Sequence, residues 1–145
     1  MNWKSEAIDK LKQYEAKKHS LENIPKEIER LESEMEGIRS SASDGGLAGG
    51  GSGRRDDTYL SNIVHREELG RQLEQADKWV ALVDAGLELL NAEERLILDR
   101  FYIHPEKGAA DRLAGDLRID IKTVYRRKDA ALRHFTISLY GGTES

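Results

Sequence analysis

Apolar residues that recur at intervals of three and four constrain this chain more than any other feature. Leu21, Ile24, Ile28, Leu31, Met35 and Ile38 follow that rhythm, and Leu69, Leu73, Ala76, Val80, Val83, Leu87 and Leu90 repeat it further on. Such spacing keeps one stripe of a helix apolar and is the seam of a coiled coil. A seam is unstable in water, so each must find another helical face. Continued backwards, the first phase meets Lys17, Tyr14, Lys10, Ala7 and Trp3, a weaker set, while Ile8 and Leu11 fit a shifted phase. The pattern predicts one helix over 3–40 and another over 57–90, about 57 Å and about 51 Å long at roughly 1.5 Å per residue. Matched lengths favour an antiparallel hairpin in which Ile28 faces Leu69, Ile24 faces Leu73, Tyr14 faces Val83 and Ala7 faces Leu90. Pro25 falls inside the first pattern, where it removes a ladder N–H and its ring crowds the preceding turn, so a kink or break is expected near Asn23.

Between the seams, residues 40–57 read SSASDGGLAGGGSGRRDD. This stretch offers no core residues and is expected to be a flexible connector. Its glycines match neither G-x-G-x-x-G nor a loop followed by Gly-Lys-Ser/Thr, so no nucleotide cradle is expected. The chain has no cysteine, which removes disulfides, thiolate metal sites and a cysteine nucleophile together. His19, His65, His104 and His134 show no ligand spacing, and no acid/base or nucleophile constellation stands out. Neither an enzyme nor a bound metal or cofactor is therefore expected. Apolar residues never run for the eighteen or so positions that a membrane span needs, and the first residues carry mixed charge, so a cytoplasmic protein with no membrane partner is expected.

After Leu90 the grammar changes. Asn91-Ala92-Glu93-Glu94 places a capping residue three positions before a glutamate, so a new helix starts there and turns Leu96, Ile97 and Phe101 inward, ending before His104-Pro105. Leu113, Ala114 and Leu117 form the inner face of a short helix, with Ala114 small enough to let a second helix cross closely. Arg118-Ile119 make a tight turn whose isoleucine plugs the core, and Asp120 is set to cap the next helix. Arg118 stands where glycine is usual, so it must take a left-handed conformation at some cost or reshape the turn. The second helix buries Val124, Ala131, Leu132 and Phe135, leaving Lys122, Arg126 and Arg133 on the opposite side. Domains of 1–90 and 91–145 follow, the first a helical hairpin and the second a helix-turn-helix, within an all-α fold.

Net charge is −4, which taken alone opposes binding to a polyanion. Its distribution reverses that reading. Residues 1–90 carry 13 Lys+Arg against 18 Asp+Glu, whereas 118–133 carry six basic residues and two acidic ones. A basic stripe on the helix after a tight turn is what a major groove requires, with cations for phosphates and Arg or Lys for guanine edges. The candidate contacts to double-stranded DNA are Arg118, Ile121, Lys122, Thr123, Tyr125, Arg126, Arg127 and Arg133.

The run Leu113 to Val124, with Ala131, Leu132 and Phe135, resembles region 4 of sigma factors, whose pattern is Leu-Ala-x-x-Leu-x-Ile-(Ser/Asp)-x-x-Thr-Val followed by Ala-Leu-x-x-Phe/Leu. The tail from Ala131 to Gly141 is similar to phage late-gene regulators of the ArpU type. The resemblance covers about 90–142. It implies a sequence-specific, phage- or prophage-encoded transcription regulator, with RNA polymerase as a second partner; the apolar seams of 1–90 separately leave open a homodimer formed through the coiled-coil region. No counterpart of the sigma segments that melt promoter DNA is visible, so a complete sigma factor is not expected. Two alternatives stay open: a phage terminase small subunit, which joins a helix-turn-helix to oligomerising helices, and an adaptor that docks on RNA polymerase without binding DNA.

Overall fold

Asn2 opens the first helix, its side-chain oxygen accepting the Lys4 N–H at 3.0 Å. This computed structural model describes residues 2–45 and 52–142, with side-chain surroundings for 2–39 and 56–142, and every regular element among them is a helix. In chain order they are α1 (Trp3–Lys12), α2 (Tyr14–Gly45), α3 (Ser52–Glu88), α4 (Ala92–Leu98), a π-helical turn (Asp99–Ile103), α5 (Ala109–Leu117) and α6 (Ile121–Tyr140). The all-α expectation holds for these residues, none of whose helices is long and apolar enough to cross a membrane. Helical backbone reaches into both ends of the expected 40–57 connector, and its glycine-rich centre, 46–51, lies outside the described residues.

The expected break near Asn23 is absent. α2 runs through Pro25, and the chain is interrupted at Gln13 instead, where α1 gives way to α2. Pro25 lies on the exposed side of its helix, while Ile24 and Leu31 on the seam side stay buried and hold the helix together across the missing ladder bond. At the Gln13 break, the carbonyl of Lys10 accepts the indole N–H of Trp79 at 3.1 Å, which satisfies one of the orphan acceptors of a helix end. The Lys10 ammonium lies 3.9 Å above the centre of the same ring.

Two compact units emerge, a central one of residues 18–77 and a terminal one formed by 1–17 together with 78–145. In the central unit no seam residue is exposed, and ascending residues of α2 meet descending residues of α3. Asn62 continues the second seam one heptad upstream of Leu69 and is buried there. Its amide donates to the Leu31 carbonyl at 2.9 Å while its oxygen accepts from Arg66 Nε at 2.8 Å. A satisfied polar group in a seam costs some stability and ties the register. Leu31 thus meets Asn62, one helical turn from the Arg66 that the expected pairing puts opposite it.

In the terminal unit the Tyr14 hydroxyl donates to Asp84 at 2.5 Å, beside the expected partner Val83. Burial, reinforced by the Asp84 carboxylate, pushes that hydroxyl up to about 12. Ala7 and Leu11 of α1, Val83 and Leu90, Ile97 and Leu98 of α4, and Leu132 and Phe135 of α6 are all buried in this unit. Gly86 permits the closest approach. A Cβ there would stand 2.7 Å from Phe135 Cε1 and 2.8 Å from Leu139 Cδ2, whereas one at Gly70 would meet nothing within 4 Å. Gly86→Ala is therefore expected to lower stability by about 1 kcal/mol, because overpacking costs about 1–3 kcal/mol against about 1 kcal/mol of helix propensity gained. Gly70→Ala should instead raise stability by about 1 kcal/mol. Urea melts of the two variants giving shifts of the same sign would disprove the close approach.

Candidate nucleic-acid interface

The site begins with the cap of α4. Asn91 accepts the Glu94 N–H at 2.8 Å and its own N–H reaches the Glu94 carboxylate at 3.1 Å, a reciprocal box that starts the helix where the sequence places it. α4 and the π turn then supply Ile97, Leu96 and Phe101 to a cluster completed by Ala110, Leu113 and Val124. Ala114, Leu117 and Ile119 pack against its edge. This cluster fixes α5 against α6.

The turn between them is short and specific. Arg118 adopts φ 57° and ψ 46°, the left-handed conformation, and among the described residues no other non-glycine residue has positive φ. The N–H groups of Arg118 and Ile119 both reach the Ala114 carbonyl, the latter at 3.1 Å, closing the end of α5 while Ile119 tucks against the core. Asp120 then accepts the Thr123 N–H at 2.9 Å and opens α6. Hydrogen bonds from Thr123, through its side chain and its backbone, hold the Asp120 carboxyl below the usual carboxylate range.

α6 has two faces of opposite character. Val124, Ala131, Leu132 and Phe135 are fully buried, and Thr136 beside them donates to its own Leu132 carbonyl at 2.8 Å. On the other face Lys122, Arg126 and Arg133 are exposed, as is Arg118 in the turn, and none of the four has a carboxylate within ion-pair distance. Ile121 and Tyr125 are 40% and 46% exposed, and Thr123 is half-buried.

Arg127 has a different setting. Its guanidinium pairs with Glu93 of α4 at 2.6 Å, and His134 pairs with the adjacent Glu94. Asp129, on the flank, takes Lys4 of α1 at 3.0 Å. The ammonium of Lys128 lies 5.0 Å from the ring centres of both Phe101 and Tyr125. The six cations of 118–133 therefore divide: Arg127 and Lys128 are engaged within the unit, and Arg118, Lys122, Arg126 and Arg133 are left as the outward stripe.

Sequence reasoning did not find the Glu93 and Glu94 pairings. The only available signal was an acidic pair in the first turn of α4, which serves a helix N-terminus equally well. His104 is a second such case, bridging Asp99 at 2.7 Å and Glu15 at 3.2 Å, with the Asp99 carboxylate raising the imidazole above its ordinary value. Among the described residues no group of three His, Cys, Asp or Glu side chains is placed to hold a metal ion. Compared with protein-family models, curated proteins and solved structures, the chain matches none.

Proposed function

We propose that the chain is a sequence-specific DNA-binding transcription regulator. In this reading α5, its three-residue turn and α6 form a helix-turn-helix that presents α6 to the major groove, while α2 and α3 form a long helical hairpin that serves self-association. The observation that carries it is the outward stripe: three exposed cations without ion-pair partners on the helix whose opposite face is core, with Arg118 a fourth in the turn before it. Arg118 adds a separate reason. A left-handed turn position would be filled at lower cost by glycine, by roughly 1 kcal/mol, so an exposed arginine there is explained by what its side chain can reach. The resemblance of 113–135 to sigma region 4, and of the tail to ArpU-type phage regulators, supports transcription as the process and RNA polymerase as a second partner.

Among the four, Lys122 and Arg126 lie in the first two turns of α6, where a groove-docked helix meets base edges. Arg126→Ala is expected to weaken binding to the preferred duplex by about 1–3 kcal/mol while leaving the melting temperature within a degree or two. If both Arg126→Ala and Lys122→Ala bind that duplex like the unaltered chain, the groove-facing assignment of α6 is wrong. Retained polymerase capture would then favour the adaptor reading.

A further inference from the structure

We infer that Ile121 and Tyr125 read the C5-methyl groups of thymine, so that the preferred duplex carries thymine beneath the first two turns of α6. The inference rests on the DNA-binding reading above and specifies what that helix recognises. Ile121 and Tyr125 are four residues apart, so they stack one above the other on the helix surface. Each is followed directly by an exposed cation that forms no ion pair, Lys122 and Arg126, so an apolar strip runs alongside a basic one. Both side chains are large, apolar and close to half exposed, in a helix whose core needs are already met by Val124, Leu132 and Phe135.

The Tyr125 ring is also held in place. Phe101, itself packed on the core cluster, lies 6.1 Å away at a 53° tilt, and the Lys128 ammonium sits 5.0 Å from the Tyr125 centroid. A ring fixed from one side, with its remaining surface in solvent, contacts a partner with little further loss of rotamer freedom. The flanking cations select a polyanion as that partner. On the floor of the major groove the apolar group presented by a base pair is the thymine methyl, whereas the other features of the base edges are hydrogen-bond donors and acceptors. The exposed cations Lys122 and Arg126 beside the apolar strip favour phosphate over a second protein.

The test uses the full chain and the duplex it enriches most strongly from a random pool. Each thymine is replaced singly by deoxyuridine, which removes the methyl and leaves pairing intact. One or two positions should lose about fourfold in affinity, the effect of burying one methyl-sized apolar group. Tyr125→Ala and Ile121→Ala should each bind the thymine and deoxyuridine duplexes equally at one of those positions, and Tyr125→Phe should keep the discrimination. Enrichment of a duplex whose every deoxyuridine version binds within twofold of the original overturns this inference and leaves DNA binding standing. Discrimination that persists unchanged in both alanine variants also overturns it. A chain that enriches no duplex removes the DNA reading and this inference together.

Discussion

Val124→Asp is expected to abolish cooperative folding of the terminal unit. Val124 is fully buried among Ile97, Ala110 and Leu113, with Leu96, Phe101, Ala114, Leu117 and Ile119 around them. The substitution removes the valine's burial, about 1.5–3 kcal/mol, and places a carboxylate inside an apolar cluster. The total is at least about 4 kcal/mol, a large part of the 5–15 kcal/mol that typically holds a domain together. Val124→Ala, which only opens a cavity, should cost about 2 kcal/mol and leave a sharp transition at lower temperature. A Val124→Asp chain that still melts sharply within a few degrees of the original would place the residue outside the core.

Separating 91–145 from the rest should be nearly as damaging. Residues 1–17 and 78–90 belong to the same compact unit as α4 to α6, and the fragment would expose surfaces they cover. Phe135 and Leu139 would lose the close pass of Gly86, Asp129 would lose Lys4, and the burial of Ala7, Leu11, Val83 and Leu90 would vanish altogether. One fully buried leucine contributes about 1.5–3 kcal/mol, so losing several such contacts exceeds what a 55-residue remnant of this kind can spare. The fragment 91–145 is expected to show partial helicity by circular dichroism and no cooperative melt. Fragment 78–145 should be intermediate, and the full chain most stable. A sharp transition in 91–145 at the temperature of the full chain would show that α1 and the end of α3 contribute nothing to that unit.

Features written in neighbouring residues were legible in advance. The Asn91 box, the Asp120 cap and the inward set Val124, Ala131, Leu132 and Phe135 each follow from a few adjacent positions and elementary helix geometry, whereas for Arg118 a left-handed residue and a reshaped turn both stayed open and the first is found. Features set by distant partners were not. Ala7 and Leu11, which belong to two competing phases, are both buried because they are four residues apart on one face of α1, and Tyr14 is buried beyond the interruption at Gln13. Pro25 reads locally as a breaker, yet the buried residues on either side of it hold α2 continuous. Asn62 looks like an ordinary polar position until its amide is seen on the Leu31 carbonyl.

The candidate site divides along the same line. Periodicity put Lys122, Arg126 and Arg133 on the outward face, and they are exposed there. The same periodicity turns Arg127 away from that face, toward the core side, but it had no means of naming its partner, because Glu93 is 34 positions away in sequence. The aromatic support of Tyr125 by Phe101 is equally non-local.

The salt dependence of duplex binding tests the central claim most directly. The affinity of the full chain for its enriched duplex and for an unrelated one should be measured across a salt series, alongside Lys122→Ala and Arg126→Ala. The account predicts tighter binding to the enriched duplex and a steep loss of affinity with salt. Loss of a phosphate-contacting cation should flatten the slope by about one unit, while loss of a base-contacting one should erase preference at one position. An affinity that is weak, indifferent to sequence and unchanged by both substitutions would contradict it.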